Sequence, residues 1–296
     1  MFHGNLTLEI ASGLKVLRDR IAAAQIPSSM LDETLNIATW NVREFGKVRR
    51  SEAAIHYIAE IIGQFDLVSL TELRDDLSDL GRVLKILGPY WRVIYSDMIP
   101  DPGGNRERLA FVYDHRAVTF TGLAASVNPP RKKSGSEYLP EFTWWRMPYM
   151  ASFSAGNFDF VVIVAHIRWG DKEADRLPEI RSLAEWVDLK RQQNTAEDKD
   201  ILVMGDFNIP SRKGALFEAM TSKASRRRCR NLSSDRTWPR ASATIKSCTT
   251  PPIQITSPTW VVCSTSIMAT VNPCSPAWPR PNSPSSSPTT CRSGCR

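Results

Sequence analysis

Ile201-Leu202-Val203-Met204-Gly205-Asp206-Phe207-Asn208 is an apolar run of four residues that ends in a glycine, a carboxylate, an aromatic ring and an amide. Such a run reads as a buried strand, and open α/β sheets keep their chemistry beyond the carboxyl ends of their strands. Side chains alternate along an extended segment, so Asp206 and Asn208 share a face while Phe207 packs the other way. A carboxylate beside an amide suits water, a metal or a phosphate oxygen. A turn held by local Asp and Asn hydrogen bonds accounts for the pair equally well.

Three other segments end the same way. Leu35 to Trp40 reads as a strand leading into Asn41, Leu67 to Leu70 as one ending at Glu72, and Phe160 to Ala165 as one ending at His166. Further strands are expected at Trp91 to Tyr95, Leu109 to Tyr113, Val118 to Ala124 and Met150 to Ser154. Pro100, Pro102, Gly103 and Gly104 mark a loop, and Arg131-Lys132-Lys133 with Ser134 and Gly135 marks an exposed one. Helical spacing appears at about residues 11–25 (Leu14, Leu17, Ile21), from a Ser51 cap to about Phe65, from Asp76 to Leu87, and from Glu173 to about Arg191. Many strands with few helices predict an α/β (α+β) fold of two packed sheets flanked by helices, a four-layer α/β/β/α sandwich.

The 38 Lys and Arg against 31 Asp and Glu would invite a nucleic-acid or membrane-surface reading. The charge is unevenly placed. Residues 224–296 hold ten Lys and Arg against the single acid Asp235, so residues 1–223 carry 28 bases against 30 acids. All six cysteines also lie after Lys223. No signal peptide and no span of about eighteen apolar residues is visible, so the expectation is a cytoplasmic protein with no membrane contact and no protein partner.

In order, TWNVREFG, DLVSLTELRDD, RERLAFVYD, WWRMPYMASF, VIVAHIRWGD and ILVMGDFN resemble the endonuclease/exonuclease/phosphatase superfamily, and its deoxyribonuclease I-like members above all, from about Leu35 to Met220. The resemblance implies a metal-dependent phosphodiester hydrolase acting on nucleic acid, with DNA favoured. A small-molecule phosphatase of the same superfamily and a catalytically dead nucleic-acid-binding remnant are the alternatives. By the resemblance, Glu72 is the ligand of Mg²⁺ (Mn²⁺ or Ca²⁺ as alternatives), and Asn41 is its neighbour binding metal-site water or phosphate. His166 contacts the scissile phosphate as donor or general acid, and Glu107 holds its imidazole in one tautomer. Arg146 binds phosphate, its planar fork suiting two oxygens of one diester. Asp206 orients or activates the attacking water, and Asn208 holds the phosphoryl oxygens. Taken alone, Glu72 could cap a turn before Arg74, and His166 could be a structural histidine. Arg43, Lys47, Arg49 and Arg50 could grip a nucleic-acid backbone or form a solvated face.

Two parts of the family pattern are not found, one of them an Asp that precedes the last strand and helps orient the catalytic groups. The superfamily has a last strand ending in Ser-Asp-His, whose histidine is the general base, whereas His166 is the last histidine here. Residues 288–295 can be encoded by CCG ACC ACC TGC CGC TCT GGG TGC, which, read one base earlier behind a T, spells Ser-Asp-His-Leu-Pro-Leu-Trp-Val. At the same offset residues 244–250 are compatible with Tyr-Asp-Gln-Ile-Leu-His-His, and residues 281–287 with Thr-Lys-Phe-Ser-Phe-Glu-Leu. The expectation is therefore a family domain over residues 1–223, incomplete at its C-terminus, and an out-of-frame, disordered Ser/Pro/Arg/Cys-rich tail over 224–296.

Overall fold

The computed structural model describes residues 1–26, 35–196, 198–211 and 213–225, with three short stretches beyond. Helix α1 (Leu8–Ala23) precedes β1 (Asn36–Phe45), α2 (Glu52–Ile62), β2 (Leu67–Leu73) and α3 (Ser78–Leu87). Strands β3 (Trp91–Tyr95), β4 (Ile99–Pro100), β5 (Arg106–Asp114) and β6 (Thr119–Ser126) follow, then a hairpin of β7 (Arg131–Ser134) and β8 (Glu137–Pro140). The chain continues through β9 (Tyr149–Ala155), β10 (Phe158–His166), α4 (Glu173–Gln192), β11 (Ile201–Asp206) and α5 (Ala215–Ser225). Three-residue strands β12 (Ala243–Ile245), β13 (Ile253–Ile255) and β14 (Val262–Ser264) come last.

Two large sheets result, ordered β13-β12-β1-β2-β5-β3 with β4 beside β5, and β14-β11-β10-β9-β6, while β7 and β8 pair separately. Their strands alternate between two apolar layers, as the period of an extended chain requires. Phe160, Val162 and Val164 of β10 face the first sheet, where Leu109 and Phe111 of β5 meet them. Val161, Ile163 and Ala165 face the opposite way, onto Ile180, Leu183, Ala184 and Val187 of α4 and Leu216 and Met220 of α5. Ala110 and Val112 of β5 pack outward on Ile55, Ile58 and Ile62 of α2 and Val83 of α3. The order is therefore helix, sheet, sheet, helix, with three apolar layers. Each fully buried aliphatic side chain in them stabilises the fold by about 1.5–3 kcal/mol.

Several boundaries differ from expectation. Helix α1 begins three residues early because Thr7 caps it, its Oγ1 accepting from Ile10 N at 3.3 Å. Ser51 does cap α2, accepting from Ala54 N at 3.2 Å, but α2 ends at Ile62. The basic segment at Arg131 is an exposed antiparallel hairpin and not a loop. Asn41 lies inside β1, which stays paired with β2 as far as Phe45. Helix α5 had no counterpart in the sequence reading. Beyond Ser225, β12 pairs in parallel with β1 and β14 with β11. Apart from those strands and the last two residues of α5, the tail expected to be out of frame lies outside the described residues.

Candidate active site

Parallel strands β1 and β2 of one sheet lie against β10 and β11 of the other, so their carboxyl ends open at one place. Two irregularities aim the side chains there. From Asn41 to Phe45, β1 runs four steps against two in β2, and β2 runs three steps from Leu70 to Leu73 against two in β5. Extra residues of this kind bend a strand and redirect a side chain. Arg43, Glu44 and Glu72, within these irregularities, have φ of 38°, 51° and 63°, and Asn208, just after β11, has φ of 51°. Non-glycine residues in this region cost about 1–3 kcal/mol each and gather at functional sites.

The redirected groups meet. Asn41 Nδ2 donates to Glu72 Oε1 at 2.7 Å and to Asp206 Oδ2 at 3.0 Å. Glu72 Oε2 accepts from Glu44 N at 2.8 Å, and Asn41 Oδ1 from Arg43 N at 2.8 Å. His166, paired in register with Asp206, points its Nε2 at Glu72 Oε1, 3.8 Å away. Asn208 N donates to Asp206 Oδ1 at 3.1 Å. Its side chain donates to the Ile167 carbonyl at 2.8 Å, which leaves the second amide hydrogen for another acceptor.

Behind His166 lies a buried ionic cluster. His166 Nδ1 is 2.8 Å from Glu107 Oε2, and Glu107 Oε1 is 3.2 Å from Arg146 Nη2 and 3.8 Å from Arg74 Nη2. Arg146 also pairs with Asp101 Oδ2 at 3.0 Å. Burial works to raise the Glu107 pKa, but the hydrogen bond with His166 and the charges of His166, Arg146 and Arg74 outweigh it and hold the carboxyl below its ordinary value. An ionised Glu107 selects the His166 tautomer with hydrogen on Nδ1. The structure thus draws all seven expected residues to one region, with Arg146 only 7 % exposed and flanked by two carboxylates. Of the four basic residues after Asn41, Arg50 is built into the fold through its contacts to Val42 O and Asp79. Lys47 pairs with Glu44. Arg43 and Arg49 are exposed.

Asp101, Arg74 and Glu179 were missed as parts of this cluster. Asp101 sits in a Pro/Gly loop that gives no hint of a buried carboxylate. Glu179 had a signal, because with Arg176 it falls on the stripe of α4 occupied by Ile180, Leu183 and Val187. Burial pushes the Glu179 carboxyl up to about 7, against the opposing charges of Arg168, Arg146 and His166. Its Oε2 has no hydrogen-bond partner among the described residues. Because the folded state holds this proton above the ordinary value, the contribution to stability is full below about pH 4.5 and is lost as pH rises through 7. The loss is on the order of 3 kcal/mol. Glu179→Gln should therefore melt higher than the parent at pH 8 and show a flatter dependence of Tm on pH between 4.5 and 8. Parallel curves for the two proteins would refute this.

The donor set suits a hard divalent cation. Mg²⁺-type sites use one or two carboxylates and fill the other positions with water and substrate phosphate, and the Glu72 and Asp206 carboxylates converge on a single amide. Among the described residues there is no group of three or more His, Cys, Asp or Glu placed to hold a metal ion. No helix among them is long and apolar enough to cross a membrane.

The chain is 30 % identical over 200 residues to a deoxyribonuclease of Thioalkalivibrio sp., covering 62 % of this chain and 49 % of that protein. It is 26 % identical over 184 residues to deoxyribonuclease-1 of Bos taurus, covering 59 % of this chain and 61 % of that protein. It spans only about half to three fifths of the length of these relatives. Among solved structures, an endonuclease/exonuclease/phosphatase family protein of Bacteroides thetaiotaomicron aligns with a TM-score of 0.44 at 16 % identity, over 64 % of this chain and 68 % of that one. The sequence profile of the Endonuclease/Exonuclease/phosphatase family matches residues 38–288, and on that extent the chain belongs to this family.

Proposed function

We propose that the chain is a Mg²⁺-dependent phosphodiesterase domain of the deoxyribonuclease I type, with DNA as substrate. The observation that carries this reading is the convergence of Asn41, Glu72, His166 and Asp206, from four strands of two sheets, within hydrogen-bonding or ion-pair distance. The deoxyribonuclease relatives support DNA over a small phosphate ester. Glu72 would hold the ion, with Asp206 and Asn41 beside it, and the ion supplies charge neutralisation at the phosphate. Asp206 accepts a hydrogen bond from the attacking water and orients it. Water forms a bond to phosphorus as the ester P–O bond breaks; in the chain as written the water gives its proton to Asp206, and the departing oxygen takes one from Nε2 of His166. His166, its Nδ1 hydrogen held by Glu107, donates from Nε2 to the phosphoryl or departing oxygen when the ring carries a hydrogen on both nitrogens. The free amide hydrogen of Asn208 meets charge that builds on the phosphoryl oxygens, where preorganised donors act most strongly. Arg146 supplies positive charge from behind Glu107.

We also infer that residues 224–296 are translated out of frame, because three neighbouring segments at one offset spell family-like sequence that includes Ser-Asp-His. Loss of a general base lowers a rate by roughly 100- to 10,000-fold. Plasmid nicking in Mg²⁺ should therefore be at least about 100-fold faster for a chain shifted by one base after codon 223 than for the chain as written. EDTA should silence both. Equal, robust nicking by the two would overturn the out-of-frame inference. A restored chain that ignores DNA but hydrolyses a small phosphate monoester would overturn the DNA assignment.

A further inference from the structure

The segment after His166 carries Arg168, Trp169 and Gly170 to the start of α4. Trp169 is 69 % exposed, and the Arg176 guanidinium lies 5.0 Å from its ring centroid. A lone exposed apolar residue needs no explanation. This one is supported from beneath by an arginine that is itself 5 % exposed and donates through Nη1 to the Asn208 carbonyl at 2.8 Å. The Asn208 side chain in turn donates to the Ile167 carbonyl, two residues before Trp169, at 2.8 Å. The indole is thus tied to Asn208 twice, along the chain and through Arg176. One of its faces meets a cation, and most of the ring is open to solvent beside the group expected to meet the phosphate.

We propose that Trp169 is a stacking platform for an unpaired nucleobase next to the phosphodiester at this site, an inference that rests on the DNA phosphodiesterase reading above. An indole face accepts any base, because every base offers a π-face. A cation over the opposite ring face holds the indole in place. Inside a duplex both faces of a base are covered, so the platform selects nucleotides that are single-stranded, frayed or turned out of the stack. The substrate class is accordingly DNA with at least one unstacked nucleotide beside the cleaved bond.

The test uses the full chain, a fluorescein-labelled phosphorothioate 12-mer of deoxythymidine in Mg²⁺, and an abasic 12-mer of the same backbone, read by anisotropy. Trp169→Ala should weaken binding of the thymidine oligomer about 10- to 100-fold and leave the abasic oligomer unchanged. Trp169→Phe should retain most of the affinity, and matching melting curves should show that both variants are folded. Wild-type protein that binds both oligomers equally, or a Trp169→Ala variant that binds like wild type or weakens both alike, would overturn the platform while leaving the DNA reading standing. Binding of neither oligomer by the wild type would overturn the platform and the DNA reading together.

Discussion

Gly205→Ala is expected to destabilise the fold by on the order of 4 kcal/mol or more, and to lower Tm by roughly 10 °C or more for a domain of this size. Two independent causes act at this position. Gly205 has φ of +138°, where L side chains are rarely found, and a Cβ there would stand 1.9 Å from Ala165 O and 2.9 Å from Ala165 C. Ala165 is its register partner on β10, so the clash is relieved only by parting β10 from β11. These strands carry His166 and Asp206, and the site should be lost with the fold. Gly104 provides the comparison, since its φ is +79° but nothing lies within 4 Å of a Cβ built there. Gly104→Ala should cost only about 1–2 kcal/mol. Far-UV circular dichroism melts of the two variants measure the difference, and a Gly205→Ala melt within about 2 °C of the parent would show that the two strands separate more easily than their geometry implies.

In the version of the chain that turns over DNA, His166→Ala should lower kcat about 100- to 10,000-fold. Glu107→Gln should lower it by a smaller factor, since the imidazole remains and only its tautomer and orientation are released. Glu107 is 2 % exposed, 2.8 Å from His166 Nδ1 and 3.2 Å from Arg146, so it acts as a positioning residue and not on the reacting atoms. The double variant should be no slower than His166→Ala alone, because groups that act as one unit do not lose activity additively. If the two losses multiply, Glu107 works through Arg146 and not through His166.

Much of the layering was legible because strands buried on both faces have no polar side to misread. Val161 to Ala165 and Ile201 to Met204 are continuous apolar runs, and each run is shared between two cores. The β7–β8 hairpin was illegible for the opposite reason, since all eight of its residues are exposed and no alternation marks it. Asn41 was read as following β1, because a hydrophobic pattern does not encode the excess residues that let pairing resume at Phe45. In the site, strand-end position singled out His166 and Asp206, but alone it left each open to a structural reading. The partners of Arg146 were not legible: Asp101 comes from a loop and Glu107 from the strand across from Ile99, and only the fold brings them within reach of one guanidinium. Arg176 and Glu179 could have been recognised, as charged residues on an otherwise apolar helix stripe.

The shared burial of β10 and β11 has a consequence for how their alignment is specified. Sliding β11 by one residue would exchange Ile201 and Val203 with Leu202 and Met204, one greasy set for another, and expose nothing apolar to water. Hydrophobicity alone is therefore indifferent to where these strands stop. What is not indifferent is the end of the pair, where Gly205 alone can sit against Ala165 and where His166 falls opposite Asp206. The groups that would do the chemistry are also the notches against which the sheet is aligned, so an error in assembly would be read first as a loss of the site.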